Sequence, residues 1–222
     1  GDLIDNLEKF GIRDDTAIIM TADHGDMMGE RGLIEKRVFY EYSARIPLIC
    51  SYPKLWRQGA TSPAPVSLID IFPTIADLIG EELPIPIDGR SFHKYLEDEE
   101  FCDPNRVAIS EYHCEGVQAP CFMIAWDKYK LIYVDDDNMQ LFDLINDPDE
   151  LHNCSNDEEH ASTLKKMRQI LLDRFDFDAI HTDVMAKQQR ARYITQTMKK
   201  GEKVSWDYSP PSHADTKYLR AK

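Results

Sequence analysis

The apolar positions of this chain change their spacing twice, and each change predicts a different kind of element. Near the start, Leu3, Ile4, Leu7 and Phe10 recur at helical spacing, and Gly11 follows where a helix end favours glycine. Asp14-Asp15 turns the chain into Ala17-Ile18-Ile19-Met20, a β-branched run long enough for one buried strand. Residues 46–50 predict a second buried strand, with Pro47 near its start, where a missing donor matters least. Helical spacing returns over 68–79, with Ser67 as the cap and Gly80 just past the end. Ile69, Phe72, Ala76 and Ile79 would form its buried stripe, with Pro73 in its first turns. A proline-rich connection over 81–89 leads to a short helix at 91–96.

Beyond an acidic loop at 97–105 the pattern shortens to strands at 106–112, 121–127, 129–134 and 139–144. The turns between them at 126–129 and 135–138 are tight, which implies an antiparallel sheet. Asp135 to Asn138 lacks the closing glutamate of a calcium loop and reads as a solvated turn. Ser155-x-x-Glu158 has the form of a capping box opening a helix to about Phe175, with Leu164, Met167, Leu171 and Phe175 inward. A second helix is expected over 183–200. The tail, with Trp206, Tyr208 and Tyr218, has no regular period and is expected to dock on this fold or on a second subunit. The organisation expected is α/β over 1–100, a small antiparallel sheet plus helix over 101–180, and a helix with a tail over 181–222.

Composition narrows the function. A formal net charge of -14 argues against nucleic acid and anionic membrane as partners, since both reward Lys and Arg. No apolar run approaches the roughly 20 residues of a membrane span. The five cysteines are odd in number and irregular in spacing, without a C-x-x-C pair. That disfavours a disulfide framework or a zinc site; buried, reduced thiols and a cytoplasmic location are expected instead. The chain opens on Gly1 without a signal-like segment, which says nothing if a larger protein precedes it.

The chemistry gathers after the first strand. In open α/β sheets ligands collect beyond the carboxyl ends of strands, and there Asp23, His24 and Gly25 follow one another. Without further context, an Asp-His at a strand end is more often structural than a metal site. The segment 25–36 carries three glycines and many charges, which predicts a loop with special backbone geometry and neither helix nor strand. Lys36 is its only lysine and could offer an ammonium to an anion; a solvated surface lysine fits the spacing at least as well. Arg45 and Glu41 read as a structural ion pair or backbone ligands. Glu111, His113 and Glu115, on or beside a strand, read most simply as solvated or hydrogen-bonded groups.

Taken together, Thr21-Ala22-Asp23-His24-Gly25-Asp26, Gly29-Glu30-Arg31-Gly32, Lys36, the run from Glu41 to Pro47, and Asp70-x-x-Pro73-Thr74 resemble the sulfatase branch of the alkaline phosphatase superfamily. Glu111-Tyr112-x-x-Glu115-Gly116-x-x-Ala119-Pro120, Gln140 to Leu144 with Asp147-Pro148, and Trp206-Asp207-Tyr208 resemble choline sulfatases in particular. The resemblance implies the C-terminal half of a sulfatase fold and the hydrolysis of a small anionic sulfate ester. It implies a divalent cation on Asp23 and His24, calcium first and magnesium or manganese as alternatives. Lys36 would serve catalysis and substrate binding, Glu111 substrate binding, and the tail homo-oligomer contacts and the substrate pocket. Trp206 and Tyr208 could face a quaternary ammonium, although plain packing explains them as simply.

The pattern also departs from the family. Ala22 stands where Ser is usual, Ile34 where Trp is frequent, and Tyr42 where Gly is frequent. None of the five cysteines lies in a C-x-P-S-R context, so the formylglycine nucleophile would belong to an N-terminal half, and this chain alone would be inactive. A phosphonate monoester hydrolase or phosphodiesterase of the same superfamily, and a non-catalytic fragment, remain alternative readings.

Overall fold

The computed structural model describes residues 1–113, 119–134 and 138–201; the expected turn at 135–138 and the aromatic tail fall largely or wholly outside them. Helix α1 (Asp2–Lys9) forms where the 3–4 spacing placed it, and Gly11 takes the left-handed φ of 68° that closes it. Strand β1 (Ile18–Thr21) follows. A two-residue ribbon, β2 (Met27–Met28) and β3 (Ile34–Glu35), then precedes a single helical turn, α2 (Glu41–Ala44), and strand β4 (Leu48–Ser51). β1 and β4 pair antiparallel, with Ile18 opposite Ser51 and Thr21 opposite Leu48. Pro47 ends just before the strand, so no ladder donor is lost.

These two strands are not buried as expected. Met20 is 46% exposed and Ile49 57%. Burial on both faces requires a layer on each side, and among the described residues β1 and β4 pair only with each other.

Helix α3 (Ile71–Ile79) follows a 3-10 turn at Leu68–Asp70 and ends at Gly80 in the left-handed conformation. Ser67 and Asp70 form a reciprocal capping box. The inward face differs from the expected one. Ala76 is buried, but Ile69, Phe72 and Ile79 are 51%, 60% and 64% exposed. Asp70, Pro73 and Thr74 point inward in their place. The reason is satisfaction of polar groups. Asp70 accepts from Ser67 N (2.9 Å), Arg90 N (2.7 Å) and the buried Arg106 guanidinium (2.6 Å), while the Thr74 hydroxyl accepts from Phe92 N at 3.0 Å. A fully bonded polar face can be buried where an apolar one finds no cover. Gly89 makes this closeness possible, since a Cβ there would lie 2.0 Å from the Ile69 carbonyl oxygen.

Helix α4 (His93–Glu97) leads to an antiparallel meander of β5 (Val107–Tyr112), β6 (Cys121–Trp126), β7 (Tyr129–Tyr133) and β8 (Met139–Asp143). Glu111 pairs with Phe122, and Ile132 with Gln140. The first turn is made by Asp127 at a φ of 52°. Helix α5 (Ala161–Arg174) lies against β6 and β7, and Phe122, Ile124, Leu131, Leu141, Met167 and Leu171 close the core. The Ser155 box does not form. Its hydroxyl donates to the Met139 carbonyl (3.3 Å) and Cys154 N to Leu141 O (2.9 Å), so this segment runs along the β8 edge. The helix starts only after a 3-10 turn at Glu158–His160.

Helix α6 (Phe177–Met198) begins before the expected residue 183 because Phe177 is anchored on Phe122 (4.7 Å) and Tyr133 (5.2 Å). The chain divides into compact units at Gly1–Phe177 and Asp178–Lys222. The second, described to residue 201, is the remainder of α6, with Met185, Tyr193, Ile194 and Met198 exposed. Among the described residues no helix is long and apolar enough to cross a membrane. The cysteines also depart from expectation. Of those described only Cys154 is buried; Cys50 and Cys121 are half-buried and Cys102 is exposed.

One part of the sheet responds to acid. Burial disfavours the Asp143 carboxylate, but the Lys128 ammonium at 2.5 Å and N–H groups of Asn146 and Ile145 outweigh that and hold its pKa below the usual carboxylate range. A depressed folded-state pKa stabilises the fold above the ordinary carboxylate pKa, and that contribution is lost as pH falls through the depressed value. Urea midpoints should therefore fall below about pH 4, and Asp143→Ala should flatten that acid limb while lowering the neutral plateau. An acid limb of unchanged slope in the variant would remove Asp143 from the linkage.

Candidate active site

Chain direction at the end of β1 is set by Gly25. A Cβ there would meet the Tyr42 carbonyl oxygen at 2.1 Å, and Gly25 N donates to Ser43 O at 2.9 Å. Only glycine lets α2 seat this closely on the strand end. Ser43, itself buried, donates its hydroxyl to the Lys36 carbonyl at 2.7 Å. The result is that Lys36, twelve residues from His24 in sequence, places its Nζ 2.6 Å from His24 Nε2.

The imidazole tautomer follows from its other contact. His24 Nδ1 lies 2.8 Å from the Gly25 carbonyl, which can only accept, so Nδ1 carries the proton and Nε2 the lone pair. The Lys36 ammonium donates to that lone pair. Asp23 Oδ2 is 3.4 Å from the same Nε2, and Asp23 Oδ1 accepts from His24 N at 3.1 Å. Asp23 is 85% exposed and His24 31% at their side chains, so both face outward from the strand end.

An oxygen and an imidazole nitrogen 3.4 Å apart have the spacing of adjacent donors on one cation with bonds of roughly 2.0–2.6 Å. The fixed Nδ1–H to carbonyl bond is also the usual orienting partner of a ligating histidine. The donor pair therefore has the spacing a divalent ion needs, but the Lys36 ammonium takes the Nε2 lone pair in this arrangement, and two donors do not complete a shell. Among the described residues no group of three or more His, Cys, Asp or Glu is placed to hold a metal.

The segment 25–36 is not the irregular loop that its glycines suggested. Met27 pairs with Glu35 and Met28 with Ile34, and the intervening turn uses Gly29, Arg31 and Gly32 at positive φ. Met27 is buried as its anchor. The Arg31 guanidinium stacks on the Tyr40 ring at 4.2 Å and donates to Asp149 O at 3.0 Å. Arg45 pairs with Glu41 at 3.4 Å as expected.

The same Glu41 is also 2.6 Å from Lys130, a connection the sequence did not show. The buried Lys130 ammonium donates as well to Glu150 (2.8 Å) and to Phe39 O (2.9 Å), and Glu150 in turn accepts from Glu41 N (2.7 Å). This network fastens residues 39–41 to the sheet. A lone lysine within the apolar alternation of β7 was the one available signal.

Between residues 36–40 and one face of the sheet lies a cavity of about 290 Å³, lined by Lys36, Val38, Phe39, Tyr40, Glu111, Tyr112, Cys121, Ile132 and Gln140 among others. Burial pushes the Cys121 thiol up, leaving it a neutral wall. Of the four residues singled out in the sequence, Asp23, His24 and Lys36 meet at the strand end. Lys36 lines this cavity, and Glu111 borders it at the sheet edge from more than seventy positions away. The Glu111 side chain shares the face of its ladder partner Phe122, not that of Cys121, Ile132 and Gln140, and its carboxylate lies 2.9 Å from His113 Nε2.

A family profile described as N-sulphoglucosamine sulphohydrolase, C-terminal, matches residues 29–176, and one described as Choline sulfatase enzyme C terminal matches residues 182–222. The chain belongs to the sulfatase family. It is 35% identical to a choline-sulfatase of Rhizobium meliloti over 99% of its own length and 43% of that protein. It is also 35% identical to an N-acetylglucosamine-6-O-sulfatase of Bacteroides thetaiotaomicron, over 77% of this chain and 32% of the relative.

Solved structures agree. A protein in complex with its substrate D-glucosamine-2-N,6-O-disulfate matches with a TM-score of 0.65 and 32% identity, over 78% of this chain and 37% of the other. A phosphonate monoester hydrolase from Silicibacter pomeroyi gives 0.63 and 28%, over 78% and 37%. The expected alkaline-phosphatase-like sulfatase fold is therefore met. The sulfatase chain described here spans less than half the length of these relatives.

Proposed function

We propose that this chain supplies one metal-binding edge and the substrate-facing lysine of a sulfuric ester hydrolase acting on a small sulfate ester of the choline sulfate kind. The observation that carries the reading is the convergence of Asp23, His24 and Lys36 at the end of β1, with Lys36 also lining the cavity over Tyr112, Ile132 and Gln140. Asp23 and His24 would hold a divalent cation, for which calcium, magnesium and manganese all suit the hard oxygen and single imidazole. Such a cation supplies Lewis-acid polarisation of the ester oxygens when bound.

Lys36 binds the anionic head of the ester and stabilises the charge that grows as the S–O bond breaks. It can swing between the His24 lone pair and a substrate oxygen, because its stem is flexible and its ammonium has three donors. The walls of Val38, Phe39, Tyr40 and Ile132 exclude water from an apolar or cationic tail. The exposed apolar positions of α1, β1 and α3 support a further element of the reading: the part of the relatives' length that this chain does not span would cover them and provide the nucleophile.

In the complete polypeptide, Lys36→Ala should lower kcat on choline sulfate by about 10²–10³ with the fold intact by circular dichroism. Asp23→Ala should instead weaken calcium binding measured by calorimetry. An unchanged kcat in the lysine variant removes Lys36 from the mechanism, and unchanged calcium affinity removes Asp23 from the metal. A second reading, phosphonate monoester hydrolysis, is favoured by the structural likeness to that enzyme. Faster turnover of a phosphonate monoester than of any sulfate ester would select it.

A further inference from the structure

We propose that Arg31 is a positioning residue that clamps Tyr40 as one wall of the cavity, so that it governs binding of the ester and leaves cleavage to other groups. This rests on the reading of that cavity as the substrate site.

Arg31 sits in the turn of the β2–β3 ribbon at a φ of 57° and a ψ of 17°. This is left-handed backbone, which glycine and asparagine adopt most readily and other residues only with strain. Such strain persists where surrounding contacts over-determine it. Here the side chain makes those contacts. The guanidinium lies 4.2 Å from the centre of the Tyr40 ring and 6.0 Å from that of Phe142, and it donates to the Asp149 carbonyl at 3.0 Å. The far anchor is itself fixed. Asp149 Oδ1 accepts the Tyr42 hydroxyl at 3.1 Å, and the next residue, Glu150, is buried against Lys130 and Glu41 N.

The strand register puts Tyr40 on the cavity side of the sheet. Its ring meets Phe142 edge-on and its hydroxyl points to Gln140. Gln140 is the ladder partner of Ile132 and Phe142 that of Lys130, so these four share one face, and Ile132 and Gln140 line the cavity with Tyr40.

Among the described residues the other polar and aromatic holds on the Tyr40 side chain are weaker. The hydroxyl lies 3.4 Å from Gln140 Oε1, beyond the roughly 2.5–3.0 Å of a good O–H···O bond, and the Phe142 ring centre is 6.2 Å away. A ring held only by these would have to be ordered when a ligand arrives, at a cost in free energy. A ring already clamped by the guanidinium avoids that cost, which is preorganisation. Its benefit is equal for the ground and transition states, so it acts on KM and not on kcat.

The test compares variants of the complete polypeptide. Arg31→Asn suits the left-handed turn but is too short to reach Tyr40, and it should raise KM for choline sulfate about fivefold with kcat within about twofold of the parent. Arg31→Lys keeps the charge without the planar group, should raise KM about twofold, and takes over if the asparagine variant does not fold. Tyr40→Ala should raise KM at least as far as Arg31→Asn, and adding Arg31→Asn to it should change KM no further. An unmoved KM in Arg31→Asn beside a raised one in Tyr40→Ala would overturn the clamp and leave the cavity reading in place. A loss confined to kcat, or a full further rise in the double variant, would do the same. An unmoved KM in Tyr40→Ala would end the cavity reading and this proposal with it. The comparison is made on whichever ester the polypeptide hydrolyses fastest, so a phosphonate monoester in place of choline sulfate leaves it standing.

Discussion

Lys130→Met is expected to destabilise the protein by about 3–5 kcal/mol, the range for breaking a buried ion pair from one side. Lys130 is almost wholly buried between Glu41 Oε1 at 2.6 Å and Glu150 Oε1 at 2.8 Å, with the Phe39 carbonyl as a third acceptor. Methionine has a similar length and would fill the space. The loss is therefore electrostatic: two carboxylates and a carbonyl would share a buried site with no cation, and the carboxylates would have to take up protons. Urea unfolding at neutral pH measures the drop. Neutralising both acids in the same background, Glu41→Gln with Glu150→Gln, should recover part of it, because the penalty belongs to unpaired charge and not to lost volume. A Lys130→Met protein within about 1 kcal/mol of the parent would show that water or rearrangement compensates the pair. Because Phe39 and Tyr40 line the cavity, the same variant should also weaken substrate binding in the complete enzyme.

Asp70→Ala is expected to cost a similar 3–5 kcal/mol or so through the opposite sign of charge. Asp70 is buried and receives Ser67 N, Arg90 N and Arg106 Nη2. Removing the carboxylate strands the Arg106 guanidinium, whose remaining acceptors are the carbonyls of Pro65 (3.1 Å) and Ser91 (3.0 Å), and undoes the capping box at the entry to α3. Arg106 ties the start of β5 to α3, so the effect should reach the whole unit and lower the thermal midpoint by several degrees or more. The double variant Asp70→Ala with Arg106→Met should be less destabilised than the sum of the singles, since it removes both charges. Additivity within about 0.5 kcal/mol would mean that the two residues do not act as a pair.

The sequence alone determined what depends on near neighbours. Alternating apolar positions and tight turns located all four strands of the meander, and the spacing in α1 located that helix. Ser67 and Gly80 bounded α3 by capping chemistry that lies within a few residues of itself. Asp23-His24-Gly25 was legible as a possible site because a strand end is a local feature, and the sulfatase resemblance rested on such short motifs.

Local pattern could not say which side of α3 turns inward. Apolar periodicity identifies a stripe, but burial depends on what is available to cover it, and a polar face satisfied by Arg106 took the inner position. Nor could it show that Ser155 would bind β8 in place of capping a helix, since both uses satisfy one hydroxyl. Lys130 with Glu150, and Lys36 with Tyr112 around one cavity, join segments about 20 and 75 residues apart. Such pairs leave no periodic trace. Only the packed chain brings them within reach, because loop closure costs little more as the separation grows and contacts at the ends decide which closures form.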